Sequence, residues 1–157
     1  MTRYLITSLF IAFLLTASGC KKDKDVEKDS PTFSVKIEGN NWSASNITGV
    51  YSALTETTTV AGISGLTEQL QVIFPGRQTG SFDIGSQFGC DCAYINGSAN
   101  GYMASWGDNP VGRVEITKYD TTQNVVSGTF YFDGYNFDGD MKRFTEGSFT
   151  NVPLMLY

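Results

Sequence analysis

From residue 32 onward the chain alternates apolar and polar side chains in short runs, and no run sustains a 3.6-residue period. Phe33, Val35 and Ile37 alternate with Ser34, Lys36 and Glu38, the pattern of a strand with one face buried. Gly39-Asn40-Asn41 follows as a turn, because Gly and Asn tolerate positive φ. Residues 42–54 resume an extended pattern, with Trp42, Ala44, Val50 and Tyr51 as inward candidates and Gly49 as a candidate bulge. Residues 57–63 are rich in β-branched side chains. Leu70, Val72 and Phe74 share one face, and Phe82 and Ile84 mark a short strand between Gly80 and Gly85. Residues 92–95 and 102–105 read as two short strands around a Gly- and Asn-containing loop. Val114 with Ile116, and Val126 with Phe130 and Phe132, give two further inward sets. Residues 133–140 read as a polar connection, residues 141–149 as another strand, and Pro153 as a limit on further pairing. The expectation is an all-β domain, an antiparallel β-sandwich or barrel-like meander of about nine or ten strands.

The first twenty residues are built differently. Arg3 precedes an uncharged, mostly apolar run over residues 4–16, shorter than the roughly 20 residues that span a bilayer. Ala17-Ser18-Gly19-Cys20 then supplies small side chains and a thiol. This segment resembles the lipobox of bacterial lipoproteins, with Ala17 standing where Leu is commonest. The resemblance implies cleavage before Cys20, lipid on its thiol, and a membrane as partner through that lipid. Two or three chains at about 0.8 kcal/mol per buried methylene hold firmly where one does not. Residues 21–30 alternate Lys with Asp and Glu, with Val26 their one apolar side chain, so they are expected to form a solvated tether reaching up to ~35 Å. Their opening, Lys21-Lys22-Asp23-Lys24-Asp25, resembles the export signal of outer-membrane lipoproteins of Bacteroidetes. The expected organisation is a cleaved signal over residues 1–19, a lipidated cysteine and tether over 20–31, and one β-domain over 32–157. The expected location is the outer membrane, on its surface or periplasmic face.

Further motifs run through the domain: Phe-x-Val-x-Ile-x-Gly-x-x-Trp-x-Ala from Phe33 to Ala44, Gly80-Ser81-Phe82-x-x-Gly85, and Val114-x-Ile116-Thr117-Lys118-Tyr119-Asp120. Val126-Ser127-Gly128-Thr129-Phe130 and Glu146-Gly147-Ser148-Phe149-x-x-Val152-Pro153 complete the set. Together they resemble the DUF6252 type of Bacteroidetes lipoprotein domain, which supplies architecture and no catalytic residue. Cys90-Asp91-Cys92 is not part of the resemblance.

Composition bounds the chemistry. The net charge is −5 with no basic stripe, which argues against nucleic acid as a partner. There is no histidine, so Ser-His-Asp and Cys-His catalysis are excluded, and no phosphate loop or dinucleotide fingerprint occurs. No enzyme activity, cofactor or metal is expected. Cys90 and Cys92 are candidates for a disulfide or an inert pair; on a continuous strand their Cα atoms lie about 6.5 Å apart, near the limit for a bridge. Gly89 would permit the local turn that closure needs. Asp133, Asn136, Asp138 and Asp140 cluster as oxygen donors, but Gly134 stands where a calcium loop would begin, so turn formation is the simpler role. Asp120-Thr121-Thr122 resembles an O-glycosylation acceptor and equally a turn. Residues 154–157 mimic the aromatic terminus of outer-membrane barrels, but the strands lack the lipid-facing pattern of about 10 residues. Tyr94, Tyr102 and Trp106, with Tyr135 and Phe137 nearby, are candidate stacking platforms for a ligand such as a sugar. The functional expectation is a non-catalytic binding or structural module at the cell envelope. A glycan-binding accessory of a polysaccharide-uptake system is the alternative.

Overall fold

The computed structural model describes residues 30–85, 89–97 and 100–157. Among these, eleven strands form one continuous ladder: β1 (Thr32–Ile37), β2 (Asn40–Ser43), β3 (Asn46–Ser52), β4 (Thr57–Ser64), β5 (Glu68–Pro75), β6 (Gly80–Asp83), β7 (Asp91–Ile95), β8 (Gly101–Met103), β9 (Gly112–Asp120), β10 (Val125–Tyr135) and β11 (Met141–Leu156). A 3-10 turn, Ala104–Trp106, follows β8. No helix among the described residues is long and apolar enough to cross a membrane.

The ladder folds into two layers. The first runs β2-β1-β11-β10-β9-β6 and the second β3-β4-β5-β7-β8. The last residues of β11 pair with β3, and Tyr135 at the end of β10 pairs with Met103 of β8, so the layers are joined along both sides. Core side chains come from both layers by period-two alternation. Leu70, Val72 and Phe74 face Val114, Phe132 and Phe144, all of them essentially inaccessible to solvent. Tyr94 of β7 meets Phe144 of β11 at 5.4 Å between ring centres, and Phe74 of β5 meets Phe82 of β6 at 6.1 Å. The expectation of an all-β sandwich or barrel-like meander therefore holds, with aromatic rings filling the gap between layers.

Several local readings change. The extended stretch 42–54 is two strands, because Ala44 donates to Phe33 O in the first layer while Ser45 donates to Ile63 O in the second. Ala44 and Ser45 therefore carry the chain between layers, and the strand count rises to eleven. Val50 does not point inward. Gly49 does, in unbroken register with Val60, so it marks a close approach and not a bulge. A Cβ there would sit 2.7 Å from Leu154 Cδ2 and 2.9 Å from Pro153 O. Tyr135 belongs to β10, not to the connection after it.

Pro153 does not end the pairing. It lies within β11, opposite Val125, and Leu154 still donates to Asn124 O at 2.8 Å. Its other edge falls beyond the Thr32–Thr150 pair, where β1 begins, and before the pairing with β3 that starts at Leu154. A missing N–H costs no ladder bond in that gap. The β3–β11 pairing is parallel, the one departure from antiparallel order among the described strands.

The close approach at Gly49 gives a direct test. Gly49→Ala forces Leu154 and the Pro153 carbonyl to shift, and is expected to lower unfolding free energy by about 1–3 kcal/mol. Urea denaturation followed by intrinsic fluorescence reads this; an unchanged midpoint would refute the tight β3–β11 contact.

Candidate functional site

Strand directions give the sandwich two ends. At one, here the distal end, lie the turns at residues 38–39, 65–67 and 136–140, together with Asn96 and Asn100. At the other, the proximal end, lie the turns at 53–56, 76–79 and 121–124 together with Tyr157. Residues 30–31 precede β1 on the proximal side, since Thr32 pairs with Thr150 and β11 runs onward in that direction.

The three rings considered together as a platform separate. Tyr94 and Tyr102 are 5% and 7% exposed and tilt against each other in the core. The register Leu70↔Tyr94↔Tyr102 puts all three on the inner face of the second layer. Trp106 is different. It stacks on Phe137 of the β10–β11 turn with ring centres 4.1 Å apart, and Phe137 is 89% exposed. The pair is fixed from both sides: Ala104–Trp106 follows β8 directly, and Asn136 organises the opposing turn. Asn136 Oδ1 accepts from the backbone of Asp138 at 3.1 Å and of Asp140 at 2.7 Å, and its Nδ2 donates to Asp140 Oδ2. Asp133 is taken by Arg143 at 3.1 Å. The acidic cluster thus shapes the turn that presents Phe137. No group of three or more cysteine, aspartate or glutamate side chains suited to a metal occurs among the described residues.

The two outer faces differ in charge. The first layer carries the ion pairs Lys36–Glu146, Arg113–Asp83 and Arg143–Asp133. The second layer presents uncharged side chains from β3 to β8, apart from Asp91. That carboxylate accepts from Ser105 Oγ, Ser105 N and Cys92 N. A hollow of about 240 Å³ on this face is lined by Gln69, Gln71, Ile73, Ala93, Ile95 and Met103.

Cys90 and Cys92 are buried free thiols, and Cys90 Sγ points at Phe82 O at 3.6 Å. Burial, then the neighbouring Asp91 and Asp83 charges, push the Cys90 thiol from 9.0 up to about 12. Burial, followed by Cys90 and Asp91, raises Cys92 as well. Neither is a nucleophile at neutral pH. Asp120 forms the β9–β10 turn, accepting from Thr122 and Gln123 at 2.9 Å each; these bonds, that from Gln123 foremost, hold its carboxyl below the usual range. Cys20 lies outside the described residues.

Sequence reasoning passed over Glu68. Its two oxygens accept from Trp42 Nε1 at 2.9 Å and Tyr94 OH at 3.0 Å, which ties β2, β5 and β7 together. Its signal was phase: Glu68 precedes Leu70 and Val72 by even steps, and so stands on the inward face.

The chain matches the domain of unknown function DUF6252 over residues 29–153. It belongs to the DUF6252 family. No curated protein and no solved structure matches the chain. The matched region of this DUF6252 domain begins just before β1 and stops within β11, short of the residues that pair with β3.

The thiols of this DUF6252 domain give an alkaline signature. Both have pKa values raised on folding, so the folded state keeps protons that the unfolded state releases. Stability is therefore unaffected by them below pH 9 and falls as pH rises from 9 toward 12. The expected result is little alkylation of the native protein by iodoacetamide at pH 8, rapid alkylation in denaturant, and a smaller alkaline loss of stability in the Cys90→Ala variant. Rapid native alkylation would contradict the buried geometry.

Proposed function

We propose that the protein is a lipid-anchored protein of the bacterial outer membrane, of Bacteroidetes type, whose β-domain binds a partner and performs no catalysis. The anchor rests on Arg3, the short apolar run and Ala17-Ser18-Gly19-Cys20. The non-catalytic reading is supported by the lack of histidine and by the burial of Cys90 and Cys92. The observation that carries the binding role is the Trp106–Phe137 stack, an exposed aromatic pair at the end farthest from the start of β1. Large exposed rings are unfavourable in isolation and common in binding surfaces.

The anchor is tested on protein purified from its native membrane. The mature N-terminal peptide is expected to begin at Cys20 and carry acyl chains, and Cys20→Ala is expected to shift the protein to the soluble fraction. An unprocessed N-terminus with unchanged fractionation would defeat the assignment.

For the binding role, a neutral glycan is the second reading. Phe137 offers a flat apolar face, and the adjoining uncharged layer supplies amide groups from Gln69 and Gln71. A glycan array is expected to reveal binding that Trp106→Ala weakens at least ~10-fold, matching the loss of one stacking contact. Binding to no glycan, or binding indifferent to that substitution, would remove this reading and leave a protein partner.

A further inference from the structure

At the proximal end a second group of apolar side chains stands in solvent. Leu54 is 94% exposed, Leu156 50% and Tyr157 76%. They are neighbours: Ala53 N donates to Tyr157 O at 2.8 Å, and Tyr157 N donates to Tyr51 O at 2.9 Å. The Arg77 guanidinium lies 5.0 Å from the centre of the Tyr51 ring at the same edge. The patch is thus aliphatic and aromatic with a cation at its rim, held on paired backbone.

Its position carries the argument. Thr32 pairs with Thr150 in antiparallel register, so the chain before β1 leads toward the end where β11 finishes. Ten residues, 21–30, separate Cys20 from Pro31. Even fully extended they reach only about 35 Å, so a lipid on Cys20 keeps the proximal end close to the bilayer.

We propose that this patch docks on the bilayer that holds Cys20, with Leu54, Leu156 and Tyr157 seated between lipid headgroups and acyl chains. The proposal rests on the lipid anchor proposed above. Leu side chains gain from leaving water, while tyrosine suits the interface because its ring is apolar and its hydroxyl polar. Arg77 stands where it meets headgroup phosphates. Three such side chains are too few to hold a free protein on a membrane. A short tether makes the contact intramolecular, with an effective concentration in the millimolar range, so a weak patch suffices. Glu56 shares the turn with Leu54, so attraction to anionic lipid is not the driving term and docking is insensitive to salt.

The test uses the full lipidated protein reconstituted into vesicles of phosphatidylethanolamine and phosphatidylglycerol containing phosphatidylcholine with brominated acyl chains. Leu54→Trp places a reporter in the patch. Leu66→Trp places one at a distal turn, where Leu66 is 98% exposed. Wild-type protein supplies the background from Trp42 and Trp106. Vesicle flotation is read first, then bromine quenching. The expected result is flotation of all three proteins, about half of the added emission lost at position 54, and none lost at position 66, at both low and high salt. Flotation with equal or no quenching at the two positions overturns the docking and leaves the anchor standing. A blue-shifted reporter at position 54 that bromine does not quench points to a second protein on the patch and equally overturns it. Failure to float removes the anchor and the docking with it.

Discussion

β10 and β11 pair with each other at nine positions, and each then reaches a strand of the opposite layer. For one strand to serve both layers it must turn while still hydrogen-bonded, and β11 does so with two irregularities. Opposite β10, the register shifts between Phe130 and Phe132 and again between Val126 and Gly128. Within these shifts lie Glu146 and Asn151, with φ of 53° and 48°. Bulges of this kind bend a strand and raise its twist. A non-glycine residue at positive φ costs of order 1–2 kcal/mol, so the surrounding contacts must hold it there. Lys36 pairs with Glu146 at 2.7 Å, and Asn151 N donates to Ser127 Oγ at 2.9 Å. Once β11 is bent, the positions of β1, β3 and β10 follow, and the remaining strands are added beside them.

What the sequence made legible was the part of the fold that neighbouring residues decide. Alternation in Leu70-Val72-Phe74, Val114-Ile116 and Phe130-Phe132 identified inward faces correctly, because side-chain direction in a strand is a local property. What stayed hidden was partner choice. Nothing near Pro153 reveals that one edge of β11 is unpaired at that position, since the answer depends on where β1 begins. Gly49 looked like a bulge because its crowding comes from Leu154, far along the chain. Tyr94 and Tyr102 read as candidate stacking platforms because residues 90–105 have weak patterning, although Tyr94, two residues after Cys92 on the same strand, shares its inward phase. The stack of Trp106 on Phe137 joins two segments that the β8–β10 bridge helps to bring together.

The same separation between local and distant information explains the chemistry of the interior. Thiols, carboxylate and phenol are present, yet each is committed. Tyr94 is pushed up to about 12 by burial and then by its bond to Glu68, so it remains a neutral donor. Thr58 donates to Gly76 O at 2.8 Å and lies 3.0 Å from Tyr119 OH. No buried side-chain nitrogen or oxygen among the described residues lacks a partner.

The surface of the domain is not uniform. The first layer's ion pairs are exposed and salt-screened, worth little to stability, but they make that face strongly hydrated and unsuited to apolar contact. The second layer is free of that barrier except at Asp91, whose oxygens are already occupied. Aromatic and aliphatic groups then stand out at both ends, Trp106 with Phe137 at one and Leu54 with Tyr157 at the other. Two exposed apolar groups on one small domain are a solubility liability unless each is covered in use. Under the lipid anchor proposed above, the two ends meet different surroundings, since the end near the start of β1 is confined toward the lipid and the opposite end is directed away from it. On that proposal the module rests one end on the membrane and presents the other to a partner.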